Sequence, residues 1–171
     1  MSLAFSVFSL DSPIGPLAFA CDADGAVRGA SFAGETGDGL KRSMTREYRG
    51  ATLTDGQPPE AVLAPLRAYL GGDGDALTRI PWRIEGDGFQ QRVWRALAEI
   101  PSGVTITYSE IARRAGEPGA AQAAGVALTR NPIALVLPCH RVIGADGALV
   151  GFGGGLERKR WLLQHEGAIL L

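Results

Sequence analysis

The sequence predicts an α+β fold in two parts: a small N-terminal α+β domain over residues 1–84 and a mostly helical C-terminal domain over residues 85–171. Three observations predict it. Short β-prone runs separated by turn signals fill the start of the chain. Apolar residues recur at helical spacing after Pro58-Pro59 and again from Phe89. Between Thr107 and Thr129, two short helical segments flank Gly116-Glu117-Pro118-Gly119, which is the outline of a helix-turn-helix.

A chain of 171 residues holds one large or two small domains. It buries about two-thirds of its unfolded surface and needs no covalent staples. Two cysteines without a spacing pattern argue against a disulfide framework and fit a reducing cytoplasm. No run of about 18 apolar residues offers a membrane span. The N-terminus lacks a basic region, the first Lys or Arg being Arg28, so no signal peptide is expected. The formal net charge of −1 does not point to nucleic acid. The distribution is uneven, however. Residues 1–87 carry 8 basic and 12 acidic side chains, net −4, and residues 88–171 carry 9 and 6, net +3. That asymmetry is compatible with a DNA-facing C-terminal half, although a solvated basic face is the commoner explanation.

Taken in order, residues 4–10 and 16–21 read as strands around Ser12-Pro13-Ile14-Gly15. Residues 26–33 read as a third, after an Asp22-Ala23-Asp24-Gly25 hairpin signal. Residues 38–48 are charged and helix-prone. Glu60 to Leu70 is an amphipathic helix through Val62, Leu63, Leu66 and Leu70, ended by Gly71-Gly72-Asp73-Gly74. No chemistry is visible in this half. Cys21 stands without a histidine before His140, which does not support a zinc site and leaves Cys21 as a core residue.

A linker near Pro81 to Gly88 leads into the second domain. Phe89, Val93, Trp94, Leu97 and Ile100 mark a core helix over 89–99, stopped by Pro101-Ser102-Gly103. Ser109 is a good N-cap for a short helix over 109–115. Gly119 to Thr129 reads as the next helix. Its surface is built of small residues: Ala120, Ala121, Ala123, Ala124, Gly125 and Ala127. Such a helix has few side chains to read major-groove base edges, but its backbone can approach closely. Close packing inside the domain explains the same pattern.

After Asn131-Pro132 a strand is expected to run into Leu137-Pro138-Cys139-His140-Arg141-Val142-Ile143. Proline locks the backbone entering the cysteine. A thiol on rigid backbone is pre-positioned as a nucleophile, and some neighbour must help it lose its proton. Adjacent residues on a strand face opposite ways, so His140 reaches Cys139 only through a water or if the chain turns there. A buried structural cysteine is the plain alternative. Val142-Ile143 and Ala148-Leu149-Val150 flank Asp146-Gly147, a hairpin signal. Gly151-Phe152-Gly153-Gly154-Gly155 exposes bare backbone. It lacks the Lys-Ser/Thr of a phosphate-binding loop but can present N–H groups to a flat base. A last helix over 156–165 carries Trp161, Leu162 and His165 before Glu166-Gly167.

Pro138-Cys139-His140-Arg141-Val142 resembles the active-site motif of the O6-alkylguanine-DNA alkyltransferases, or methylated-DNA–protein-cysteine methyltransferases. Phe89-Gln90-Gln91-Arg92-Val93-Trp94, Thr107-Tyr108-Ser109, Gly119-Ala120-Ala121, Asn131-Pro132, Gly153-Gly154-Gly155-Leu156 and Trp161 through Gly167 carry the same resemblance in the family's order and spacing. It is specific from about Phe89 to Gly167. Before that it rests mainly on Leu10-Asp11-Ser12-Pro13-Ile14-Gly15-Pro16-Leu17.

The resemblance implies a ribonuclease H-like N-terminal domain and direct-reversal DNA repair without metal or cofactor. Cys139 takes the alkyl group from O6 of a flipped guanine. His140 takes the thiol proton through a water, Glu166 orients His140, Tyr108 protonates the leaving base, and Asn131 holds the turn at the cysteine. Leu128, Val142, Phe152, Gly153 and Gly154 form the base pocket, the Val142 carbonyl accepting from the exocyclic amine. Tyr108, Ala120, Ala121, Gln122, Ala123 and Gly125 meet the DNA. Arg141 is read as structural and ion-paired. The partner implied is double-stranded DNA carrying O6-alkylguanine, with O4-alkylthymine as a second candidate, for a cytoplasmic monomer that acts once. The sequence departs from the family in three places: Gln122 replaces the usual arginine, Phe152 a tyrosine, and Gly153 a serine of some members. Without a zinc-cysteine regulatory domain, a stand-alone repair protein is expected. Two other classes stay open: a non-catalytic alkylated-base or helix-turn-helix DNA-binding protein, disfavoured because such relatives lack the motif cysteine, and a cysteine hydrolase, for which no signature is present.

Overall fold

The structure is a computed structural model that describes residues 3–32, 37–149, 152 and 154–168. The chain divides into two compact units. The first comprises residues 1–83 and 132–136, the second residues 84–131 and 137–171.

In the first unit, strands β1 (Ala4–Leu10), β2 (Leu17–Cys21) and β3 (Val27–Ser31) form an antiparallel meander. Ser12 closes the first turn, its hydroxyl donating to Gly15 O and accepting from Ile14 N. Asp22 closes the second by accepting from Asp24 N and Ala26 N. Helix α1 (Asp38–Glu47) packs on this sheet. Leu40 and Met44 join Phe5, Val7, Ala18 and Ala20 in one core cluster. Gly29 permits the close fit, because a Cβ there would lie 2.6 Å from the Met44 sulfur. Strand β4 (Thr52–Asp55), which periodicity does not reveal, pairs parallel to β1 and gives the order β3-β2-β1-β4. Its four residues are largely exposed, so no apolar pattern betrays it. Helix α2 (Glu60–Leu70) and a 3-10 turn over Gly74–Arg79 follow.

The second unit holds α3 (Phe89–Leu97), β5 (Ile106–Thr107), α4 (Tyr108–Arg114), α5 (Ala121–Thr129), a 3-10 turn at Cys139–Arg141, β6 (Val142–Ile143) and α6 (Leu156–His165). Helices α3, α4 and α5 pack on one another. The Trp94 indole N–H donates 2.7 Å to Ala127 O and ties α3 to the last turn of α5. The cap of α4 is Thr107, whose hydroxyl accepts from Glu110 N, and Ser109 lies inside the helix. The cap therefore lies two residues earlier than Ser109.

Two expected elements are absent among the described residues. No strand enters Cys139. Ile133 makes only an isolated bridge to Ala30, and Ala134–Val136 turn instead, with Leu135 at φ 71. Val136 N donates to Ala134 O across that residue, forming a γ-turn of the strained, positive-φ kind. A short apolar run does not by itself distinguish a buried strand from a buried turn. Nor do residues 142–149 form a hairpin. Gly144 and Gly147 make the turn, but β6 pairs in parallel with β5, and Ala148 and Leu149 are not strand. Val150 lies outside the described residues. No helix among the described residues is long and apolar enough to cross a membrane.

Candidate active site

Proline and two tight bonds shape the cysteine turn. Pro138 sits at φ −80, ψ 70, and Cys139 N donates 2.8 Å to Leu137 O. Arg141 N then donates to Pro138 O. Cys139 thus opens a 3-10 turn rather than lying on a strand. Asn131 clamps the turn: its Nδ2 donates 2.8 Å to Leu137 O, and its side chain also bonds the Cys139 thiol. Cys139 is partly exposed as a residue, while its thiol is desolvated by the surrounding atoms. Burial pushes its pKa above 9.0, and the Asn131 bond and the nearby Lys159 charge pull against that shift without cancelling it. At rest the sulfur therefore keeps its proton, and attack requires a base.

His140 is fully buried, and its Nε2 lies 2.8 Å from Glu166 Oε2. Glu166 caps α6 and is equally buried. Burial would raise its pKa, but bonds from His140 and Arg141 outweigh burial and carry it down to about 2. The carboxylate is thus ionised and only accepts, which fixes the proton of a neutral imidazole on Nε2. Burial lowers the pKa of His140 despite the Glu166 carboxylate. A neutral ring with Nε2–H leaves Nδ1 as a lone-pair acceptor. Among the described residues Nδ1 has no hydrogen-bond partner.

Arg141 locks this pair. Its Nε and Nη2 donate to the two Glu166 oxygens at 2.9 Å each, and Nη1 donates 2.6 Å to Ile100 O. Lys159, absent from the sequence expectations, is also fully buried. Its Nζ donates 2.6 Å to Val142 O, and its charge acts on Cys139. Burial lowers its pKa to about 8 despite the opposing influence of Cys139. A signal for it existed: Lys159 stands three and four residues before Leu162 and Leu163, on the buried stripe of α6. The Val142 carbonyl keeps a second lone pair for another donor.

Tyr108 opens α4 within electrostatic reach of Cys139, and burial raises its pKa. Its ring lies against α5 at Gly125, 3.8 Å from where a Cβ would stand. Phe152 meets the His140 ring edge to face, with centroids 6.5 Å apart. Leu128 is buried on α5, and Gly154 O accepts from Arg158. Gly153 lies outside the described residues. Of the predicted DNA-facing positions, Gln122 and Ala123 are exposed, and Ala120, Ala121 and Gly125 are partly so. Exposed Val126 completes that face and was not anticipated. Among the described residues no three His, Cys, Asp or Glu side chains gather as a metal site.

A cysteine on a tight turn, a buried His–carboxylate pair whose histidine is next to it in sequence and two short helices of helix-turn-helix outline lie in one unit. Residues 88–168 match the family model described as the 6-O-methylguanine DNA methyltransferase DNA binding domain. The methylated-DNA–protein-cysteine methyltransferase of Shigella flexneri is 38% identical over 94% of both chains. That of Mycobacterium leprae is 45% identical over 92% of this chain and 90% of its own. The solved O6-methylguanine methyltransferase of Mycobacterium tuberculosis superposes with a TM-score of 0.72 at 38% identity, covering 98% of this chain and 93% of the other. Mycobacterium tuberculosis OGT in complex with DNA gives a TM-score of 0.75 at 38% identity, covering 96% and 93%. The chain belongs to the methylated-DNA–protein-cysteine methyltransferase family.

Proposed function

We propose that this protein repairs double-stranded DNA by moving the alkyl group of O6-alkylguanine onto Cys139, irreversibly and once per molecule. The observation that carries the reading is the buried His140–Glu166 pair next to the partly exposed Cys139. Helix α5 enters the minor groove, where Ala120, Ala121, Ala123 and Gly125 allow close backbone approach. The alkylated base leaves the stack at a cost of a few kcal/mol, and Gln122 fills the gap. Leu128, Phe152 and Gly154 line the base, and Val142 O, with one lone pair on Lys159, accepts from its exocyclic amine with the other.

Nδ1 of His140 then takes the thiol proton through a water, while ionised Glu166 holds Nε2–H and steadies the imidazolium that forms. The sulfur attacks the alkyl carbon in line. The S–C bond forms as the C–O bond breaks, and the departing guanine anion takes a hydrogen bond or proton from Tyr108. Asn131 fixes the turn throughout. The thioether product is stable, so each molecule is spent after one transfer. The protein acts as a cytoplasmic monomer, and O4-alkylthymine is a second candidate substrate.

Intact mass after exposure to an O6-methylguanine duplex tests the proposal. One methyl per protein, mapped to Cys139 and absent in Cys139→Ser, is the expected result. Tighter binding to alkylated duplex without mass gain would favour the non-catalytic base-binding class instead.

A further inference from the structure

The exposed face of α5 carries a second feature that the pocket residues do not use. Gln122, Val126 and Arg130 follow at i, i+4 and i+8, drifting about 40° a step, so they share one side of the helix. All three are exposed. Helix α5 itself carries no charge in its first or last turn. The first cation on this face is Arg130 at the C-cap, whose backbone N–H is fixed on Ala127 and Leu128 carbonyls.

The other cations of this half are mostly committed. Residues 88–171 contain nine. Arg92 and Arg95 hold the carbonyls of Ala115, Asp87 and Ile84. Arg113 and Arg114 share Glu110. Arg141 is locked on Glu166, Arg158 on Gly154 O, and Lys159 on Val142 O. Only Arg130 and Arg160 engage no described residue through their side chains, and Arg160 lies on α6, outside the helix-turn-helix.

We infer that Arg130 is the phosphate-contacting cation of the recognition helix, supplying at its C-terminal end the electrostatic contact that uncharged Gln122 does not supply at its N-terminal end. Eight residues separate the two, about 12 Å along the axis. The minor groove is about 6 Å wide. A side chain that far from the point of insertion lies beyond the base edges and meets the phosphate wall. There a guanidinium makes paired hydrogen bonds and displaces a condensed counterion. Arg130 is accordingly a binding residue that sets grip and register, without touching the reacting atoms. The inference rests on the proposed insertion of α5 into DNA.

The test is the salt dependence of duplex binding, measured from 50 to 200 mM salt on an O6-methylguanine oligonucleotide and its undamaged twin. Arg130→Gln should flatten the slope of log affinity against log salt by about 0.9 on both duplexes, with affinity falling roughly fivefold to tenfold at 0.1 M salt. Arg130→Lys should restore the slope, because a lysine still releases one counterion. Arg160→Gln should leave the slope at the wild-type value. An unchanged slope in Arg130→Gln overturns the inference and leaves Arg130 as a helix-end charge. Equal flattening in Arg160→Gln overturns it as well, since the effect would then follow net charge. Failure of the underlying reading shows separately, as wild-type protein that gains no methyl from the alkylated duplex.

Discussion

At the residue scale, a thiol and an imidazole carry opposite pKa shifts from one cause. Burial raises the pKa of Cys139 above 9.0 and lowers that of His140 below 6.5. Thiol and neutral imidazole therefore coexist over a wide range. Single-turnover transfer should show a plateau at neutral pH, falling in acid as His140 protonates and again above about 8 as Lys159 loses its charge. A tenfold rise per pH unit through 7 to 9 would mean that free thiolate, not a base-assisted thiol, is the nucleophile. Lys159 adds a positive charge beside the sulfur. Lys159→Met should slow transfer several-fold, as a positive charge that favours the developing thiolate disappears. An unchanged rate in a folded Lys159→Met protein would reduce Lys159 to a tether on Val142 O. Glu166 has two tasks, because it also neutralises Arg141. His140→Ala and Glu166→Ala should give non-additive rate losses, as members of one relay do. Glu166→Ala should also lower stability by about 3–5 kcal/mol in denaturant titration, because it strands a buried guanidinium.

At the element scale, the Trp94 indole ties the last turn of α5 to α3. Trp94→Phe removes the bond to Ala127 O from the last turn of the helix. It should cost about 1 kcal/mol and speed amide exchange in that turn. Unchanged exchange there would mean that apolar packing alone holds the helix. Gln122→Ala should slow transfer on duplex more than on the free alkylated base, because only the duplex must be held open. Equal slowing on both would rule out Gln122 as the gap-filling residue. Most helices were legible because their apolar stripes are long: α2, α3 and α6 fall within two residues of their expected spans. Short strands were not. β4 is polar and takes its identity from pairing with β1, and β6 takes its partner from β5 rather than from the nearer Ala148-Leu149.

At the scale of the whole molecule, Glu166 also links fold to pH. Its folded pKa of about 2 lies below the ordinary 4.5, so its contribution is present above 4.5 and is lost as pH falls through 4.5 toward 2. That contribution is on the order of 3 kcal/mol. Denaturation midpoints should therefore drop across that acid window, and less so in Glu166→Gln. Equal acid sensitivity in both proteins would place the effect on other carboxylates. The chain path also differs from a simple succession of domains. Pro132–Val136 belongs to the first unit, held there by Ala30 N on Pro132 O and Ala134 N on Ala30 O. Such bonds join residues a hundred positions apart, and no local pattern encodes them.

The sequence by itself singled out Cys139, His140 and Glu166 as candidates, through the family resemblance, and showed the small-residue helix and the order of the main elements through periodicity. These are local: Pro138 fixes the backbone beside Cys139, and side-chain periodicity declares which face of a helix is buried. Only the tertiary structure decided that Cys139 sits on a 3-10 turn, that Nδ1 of His140 is its lone-pair atom, that Arg141 shares Glu166, and that Lys159 is buried against Val142 O. The reason is that protonation and burial depend on what long-range packing brings alongside. A lysine or a glutamate reads as a surface charge until the partners that desolvate and bond it are in place.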